Sequence, residues 1–381
     1  MGVLALKGRK RRRIILSVIA AAGLSVIWME TCCIPPASMK AVKDPRGGRP
    51  LGNRVAIIYS KHYQMNMAGL ERMHSFDIRK YAKIYLKLNT DGLLRPQDVF
   101  VPRQVTREQI LLVHNEAFLE SLKDSRRIAE YLESPLVGKA PAALADAGIL
   151  QAFRYATGGT ILAARLALKY DIAINIGGGY HHAKPHAGEG FCVYADMPIA
   201  IRVLQKENLI HRALVVDLDV HQGNGTAVCF KGDDSVFAFS MHEGDIYSIP
   251  KETDDLDVEL AAGADDATYL GLLEKHLPDA FGRSRPDIVF LQAGCDTLKG
   301  DPLARLAMTE KGIVARDAMV IGECMRRGIP VVMVLGGGYS KRTWRAQYAS
   351  IRRTIGKYGL QGGGGRGPRR ELTGKEKLYV K

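Results

Sequence analysis

Between Arg54 and about Tyr358 the chain alternates short β-branched apolar runs with longer stretches in which apolar positions recur every three to four residues. Runs of the first kind read as buried strands and stretches of the second as amphipathic helices, and their alternation predicts a parallel sheet covered by helices. The clearest predicted strands are Val55 to Tyr59, Asp171 to Ile176, Ala213 to Leu218, Val236 to Phe239, Asp287 to Gln292 and Pro330 to Leu335. Helices are expected over Leu150 to Lys169, Pro198 to Glu207, Thr268 to Leu277, Thr309 to Arg327 and Arg342 to Ile355. No repeat of solenoid length is present. The pattern predicts one domain, a three-layer α/β/α body with a mainly parallel sheet, over 54–360.

The ends differ in character. Residues 1–36 carry six basic side chains (Lys7, Arg9, Lys10, Arg11, Arg12, Arg13) and then an uncharged run from Ile14 to Met29, the arrangement of a signal or membrane anchor. Residues 37–53 read as a linker, and 361–381, with four glycines from Gly362 to Gly365, as a flexible basic tail. Clustered cations stay on the cytoplasmic side, so the pattern predicts export or membrane anchoring with the main domain outside the cytoplasm. A start codon assigned too early would instead leave the protein cytoplasmic.

The formal charge of +14 first suggests nucleic acid, but the two tails carry most of it and leave about +4 for the body, so nucleic-acid binding is not expected. The six cysteines show no CxxC or CxxH spacing, which argues against a cysteine zinc knuckle or a disulfide framework. Cys192, Cys229, Cys295 and Cys324 read as small buried hydrophobes.

The chemistry is concentrated at the carboxyl ends of the predicted strands. After Ile176 come three glycines, Tyr180, His181 and His182; after Leu218 come Asp219 and His221; after Gln292 comes Asp296; after Leu335 come three glycines and Tyr339. Ligands of open α/β sheets bind outside the carboxyl ends of strands, so these loops should meet in one crevice. Asp217, Asp219 and His221 are spaced by two and project to one side of an extended segment. Asp219, His221 and Asp296 suit a divalent ion with a coordination position left open, as catalytic zinc requires. Asp217 is placed to fix the tautomer of an imidazole. The glycine turn lets both His181 and His182 lean toward one site, and the Tyr339 hydroxyl is a candidate donor to an oxyanion.

The segments GGGYHHAKPHAGEGFCVYAD from Gly177, DLDVHQGNGT from Asp217, LQAGCDTLKGDPLARLAMT from Leu291 and LGGGYSKRTW from Leu335 together resemble the zinc-dependent histone deacetylases and the related bacterial acetylpolyamine amidohydrolases. HQGNGT, GGYSKRTW and the opening YSKHYQMNMAGLERMHSFD are most similar to class IV. The resemblance implies zinc on Asp219, His221 and Asp296, an acid/base pair in His181 and His182 with Asp217 bonded to His181, and a carbonyl-polarising Tyr339. It implies an acyl-lysine tunnel lined by Gly190 and Phe191 with Tyr247 as the opposite wall. It also implies a structural potassium at Asp217, Asp219, His221, Ser240 and Met241. The partner of His182, usually Asp in class I, is Asn224 here, an amide that orients the ring without stabilising its cation, so His182 should stay neutral.

These readings predict zinc-dependent hydrolysis of an N-acyl amide, in an acylated lysine of a peptide or protein or in an acylated polyamine. Two rivals stand beside it. One is an arginase-like two-metal hydrolase, for which no further carboxylate flanks Asp296; the other is a membrane-anchored module that binds acyl-lysine or a partner without turnover. A nicotinamide enzyme is disfavoured because neither glycine run has the G-x-G-x-x-G spacing.

Overall fold

The computed structural model describes residues 54–66 and 76–359. The expected signal or anchor over 1–36, the linker over 37–53, the tail over 361–381 and part of the class IV-like opening segment lie outside the described residues. Among the described residues no helix is long and apolar enough to cross a membrane.

Eight strands form a single sheet: β1 (Val55–Ile58), β2 (Val99–Phe100), β3 (Ile172–Asn175), β4 (Ala213–Asp217), β5 (Val236–Glu243), β6 (Leu256–Leu260), β7 (Ile288–Gln292) and β8 (Val331–Val334). They lie in the order β2-β1-β3-β8-β7-β4-β5-β6, and every pairing is parallel. The main helices are α1 (Lys80–Thr90), α2 (Gln151–Tyr170), α3 (Asp196–Lys206), α4 (Asn224–Phe230), α5 (Asp266–Ser284), α6 (Glu310–Arg327) and α7 (Thr343–Tyr358). The result is the expected three-layer α/β/α body. The central strands β3, β4, β7 and β8 are buried along their whole length, which is why they read as unbroken apolar runs and not as alternating ones.

All six predicted strands and all five predicted helices are present, and the differences have local causes. β5 runs on to Glu243 because its polar end is buried against β6, with Ser240 Oγ 2.9 Å from His242 Nδ1. The edge strand β6 mixes acidic and apolar residues and was not expected. α5 continues through Pro278, at which the sequence stops it. Pro278 and Glu274, whose carbonyl loses its partner there, both lie on the solvent face, where water can replace the missing bond. Cys192, Cys295 and Cys324 are buried and Cys229 is half-buried, all of them free thiols.

Parallel strands share one carboxyl end. β3, β4, β7 and β8 are neighbours in the middle of the sheet, so the four loops that leave them are brought side by side.

Candidate active site

The loop after β3 is shaped by its glycines and by Asp196 at the start of α3. Gly178 and Gly179 adopt φ of +72° and +83°, and a Cβ on Gly178 would lie 2.4 Å from Asp196 Oδ2. The buried carboxylate accepts from the backbone N–H of Gly179 (2.9 Å) and Tyr180 (2.7 Å) and from the Thr160 hydroxyl (2.6 Å). This turn brings two adjacent side chains to one side, and the rings of His181 and His182 lie 3.9 Å apart between centroids.

Their outer nitrogens end on different partners. His181 Nδ1 is 2.7 Å from Asp217 Oδ2, and His182 Nδ1 is 2.6 Å from Asn224 Oδ1. Burial lowers the pKa of both rings, but the charges of Asp217 and Asp219 override it at His181 and raise it to about 9. At His182 burial is reinforced by the neighbouring His181 and His221, and the ring is held well below the ordinary histidine value. Oppositely displaced partners of this kind are how one site carries both an acid and a base.

Beside the pair stands the three-residue cluster expected to hold a metal. Ligand atoms of Asp219, His221 and Asp296 all lie within 4.8 Å of one another. Both carboxylates are anchored by the protein, and Asp219 Oδ1 also accepts from the backbone N–H of His221 at 3.2 Å. Asp219 Oδ2 accepts from Gln292 Nε2 (3.0 Å) and Gly337 N–H (2.8 Å), and Asp296 Oδ1 from Val220 N–H (2.9 Å). Asp219 Oδ1 and Asp296 Oδ2 each lie 3.2 Å from His221 Nδ1. Ligands about 2.0–2.1 Å from a tetrahedral zinc are separated by roughly 3.3 Å, so the spacing suits that ion. Asp296 Oδ2 is moreover buried without a hydrogen-bond partner, an atom whose burial asks for a cation. Burial and the adjacent Asp219 push the Asp296 carboxyl up to about 7, while His181 and His221 hold the equally buried Asp219 well below the usual carboxylate range.

Tyr339 follows the glycine run after β8, its ring 6.2 Å from that of His221 and 5.8 Å from that of Phe191. Burial and the charges of Asp296 and Asp219 raise its pKa well above the ordinary phenol value, so the hydroxyl keeps its proton and can donate. A cavity of about 300 Å3 opens here, lined by Gly190, Phe191, the two histidines and Tyr339 and continuing to Ile149 and Phe153. Ser134 to Val137, part of the apolar loop after the short helix Ser125–Tyr131, border it too. Tyr247 does not line this cavity; it is partly exposed, with its ring 5.0 Å from that of His182 and its hydroxyl bonded to Glu189. The ring facing Phe191 is therefore Tyr339, and Tyr247 covers His182. Asp217 and Ser240, two of the residues expected at a potassium site, face each other in register across β4 and β5.

His181, His182, Asp217, Asp219, His221, Asn224, Asp296 and Tyr339 are thus gathered at one end of the sheet. Four supporting residues were not singled out. Gln292, the polar last residue of an apolar strand, was open to notice. Glu189, Lys80 and Arg316 gave no signal: Lys80 and Arg316 reach backbone carbonyls far away in sequence, and Glu189 meets Asn224 and Tyr247 only in the fold.

Residues 74–355 match the family model described as the histone deacetylase domain. The chain belongs to the histone deacetylase family. Similar proteins include an uncharacterized protein of Picosynechococcus, 39% identical over 288 residues, covering 75% of this chain and 92% of the relative. Histone deacetylase 2 of Arabidopsis thaliana is 36% identical over 302 residues, 78% of each chain. Histone deacetylase 8 of Xenopus tropicalis is 29% identical over 284 residues, 68% of this chain and 73% of the relative. The deacetylase domain model begins at residue 74, and β1, before it, adds a strand between β2 and β3.

Proposed function

We propose that this deacetylase-family chain is a zinc-dependent deacylase that hydrolyses the side-chain amide of acylated lysine in a peptide or protein. The observation that carries the reading is the convergence of Asp219, His221 and Asp296 beside two imidazoles of opposite charge preference, which themselves line a cavity together with Tyr339. Zinc held by those three residues would supply Lewis acidity and an open position for water and the amide oxygen.

The chain's own groups then divide the work. His182, neutral and bonded through Nδ1 to Asn224, has its far nitrogen free to take a proton from the attacking water. His181, charged through Asp217, has a proton to give to the departing amine. Tyr339 donates to the oxygen that gains charge as the carbonyl carbon becomes tetrahedral. Gly190 and Phe191 pass the lysine stem, and the apolar lining excludes water from the acyl end. A structural potassium at Asp217, Ser240 and the backbone of Asp219, His221 and Met241 belongs to the same reading, favoured by the register of Asp217 and Ser240.

The test is release of free acid from acetyl-lysine peptides and from acetylated polyamines, with chelator and after zinc is restored. Chelator-sensitive, zinc-restored turnover of the peptides supports the proposal. Stoichiometric zinc binding without turnover would convert the reading to a binding module, two metal ions per chain would favour the arginase-like one, and turnover of polyamines alone would move the substrate.

A further inference from the structure

His182 ends on an amide, and an amide is ambiguous. It presents either its oxygen or its NH2 to a neighbour in nearly the same space, and which one decides where an imidazole carries its proton. With the oxygen of Asn224 facing it, His182 must be protonated on Nδ1 and bare on Nε2. With the NH2 facing it, the tautomer reverses and the far nitrogen is no longer a base.

The other end of that amide settles the choice. Asn224 Nδ2 lies 2.9 Å from Oε1 of Glu189. An ionised carboxylate only accepts hydrogen bonds, so it admits the NH2 and rejects the oxygen. Glu189 is supplied with donors on both oxygens, Lys184 Nζ at 2.7 Å from Oε2 and the Tyr247 hydroxyl on Oε1. Burial alone would raise its pKa, but these partners bring it below the ordinary glutamate value. Its backbone is fixed as well: Glu189 and Cys192 exchange two hydrogen bonds, at 3.0 and 2.8 Å. The next residue, Gly190 with φ of +52°, is pressed so close to His182 that a Cβ would lie 2.6 Å from its Cδ2.

We propose that Glu189 is a positioning residue for the histidine pair: it locks the amide of Asn224 with the oxygen toward His182, and so keeps the far nitrogen of that ring unprotonated. The carboxylate that the Asn224 position lacks is present one hydrogen bond further out. The inference rests on the deacylase reading for its kinetic consequence but not for its structural one.

The experiment has two arms. In metal-free protein labelled with 15N-histidine, with the His182 signals assigned by their loss in His182→Gln, long-range proton–nitrogen spectra report the tautomer. The parent and Glu189→Gln, which keeps an acceptor oxygen, should show Nδ1 protonated, and Glu189→Ala should show the other tautomer appearing. In zinc-loaded protein, Glu189→Ala should lower kcat about tenfold or more, the usual loss on removing such an outer partner, with KM within about twofold and Glu189→Gln recovering most of the rate.

Asn224→Asp supplies the second measurement. Beside Glu189 it sets two carboxylates against each other, so its cost in kcat should be at least about tenfold larger in the parent than in Glu189→Gln, whose amide can donate to it. An unchanged tautomer in Glu189→Ala, or an equal cost of Asn224→Asp in both backgrounds, overturns the proposal. If Glu189→Ala does not fold, the Asn224→Asp cycle decides alone. If even the parent shows no turnover, the deacylase reading fails and the tautomer arm still decides this one.

Discussion

Lys80 Nζ, on α1, donates to the carbonyl oxygens of Gly336 at 2.7 Å and Gly337 at 3.1 Å, 256 and 257 residues away in sequence. The ammonium is fully buried and sits 4.2 Å from the centre of the Phe76 ring. It holds the glycine run that ends in Tyr339 and neighbours the acids of the metal cluster.

Burial lowers the pKa of Lys80 to about 8, nearby carboxylates such as Asp296 and Asp219 only partly opposing it. Activity is therefore expected to fall as pH rises through about 8 and the ammonium loses its charge. Stability should move the other way: the folded value lies below the ordinary lysine value of 10.5, so between about 8 and 10.5 the unfolded chain binds more protons and folding gains with pH. Lys80→Arg should carry the alkaline limb of the rate profile upward by more than one unit, and Lys80→Met should be slow at every pH. Rate profiles set beside urea midpoints across this range check it, and activity and stability declining together would rule Lys80 out.

Tyr339→Phe removes one oxyanion donor while leaving the ring that packs near Phe191 and His221. The expected loss is about 10²–10³-fold in kcat with KM nearly unchanged. Steady-state kinetics on an acyl-lysine peptide decide it, and a variant as fast as the parent would remove Tyr339 from the reaction.

Arg316 is the largest fully buried side chain among the described residues. Its Nη1 donates to Leu218 O (2.9 Å), Gly294 O (2.8 Å) and Thr297 Oγ1 (3.2 Å), tying together the two loops that bear Asp219 and Asp296. Its Nε bonds Asp317 at 2.9 Å, and Asp317 in turn accepts from Ser350. Arg316→Met leaves Asp317 buried without its counter-charge and should cost about 3–5 kcal/mol of stability, read as a loss in urea midpoint. A loss below about 1 kcal/mol would mean the loops hold themselves.

The cavity lined by His181, His182 and Tyr339 also reaches Ile149 and Phe153, with Met65 and Phe76 on its wall. Its volume of about 300 Å3 would be shared between the lysine stem beside Gly190 and Phe191 and the acyl group. Each methylene added to the acyl chain should lower KM roughly fourfold, from about 0.8 kcal/mol per buried CH2, until the chain outgrows the space. A series of acyl-lysine peptides of increasing length tests this, and a KM that rises from acetyl onward would show the inner volume to be closed to substrate.

How much of this was legible in sequence depended on the kind of partner each residue has. Asp217, Asp219 and His221 announce themselves through alternation on one strand end, and His181, His182 and Tyr339 through the glycines before them, because strand-end chemistry is local. The sheet was legible for the same reason: strands buried on both faces leave unbroken apolar runs. Lys80 and Arg316 looked like ordinary helix cations, since the carbonyl oxygens they tie across the fold leave no side-chain pattern. Glu189 read as one more charge in a loop, its importance fixed only by where Asn224 and Tyr247 arrive. Acidic residues around β6 hid an edge strand, and Pro278 hid the second half of α5, because in each case solvent tolerates what a core would not.

The closeness of Gly294 to the cluster has a consequence for the lineage as a whole. A Cβ there would fall 2.0 Å from Asp219 Oδ2, where no atom can stand. One methyl group, as in Gly294→Ala, would displace that acid while leaving all three ligands written in the sequence. A descendant bearing that single carbon would differ in one glycine of the quoted blocks and still carry Asp219, His221 and Asp296, so the presence of those three residues is no guarantee that they converge.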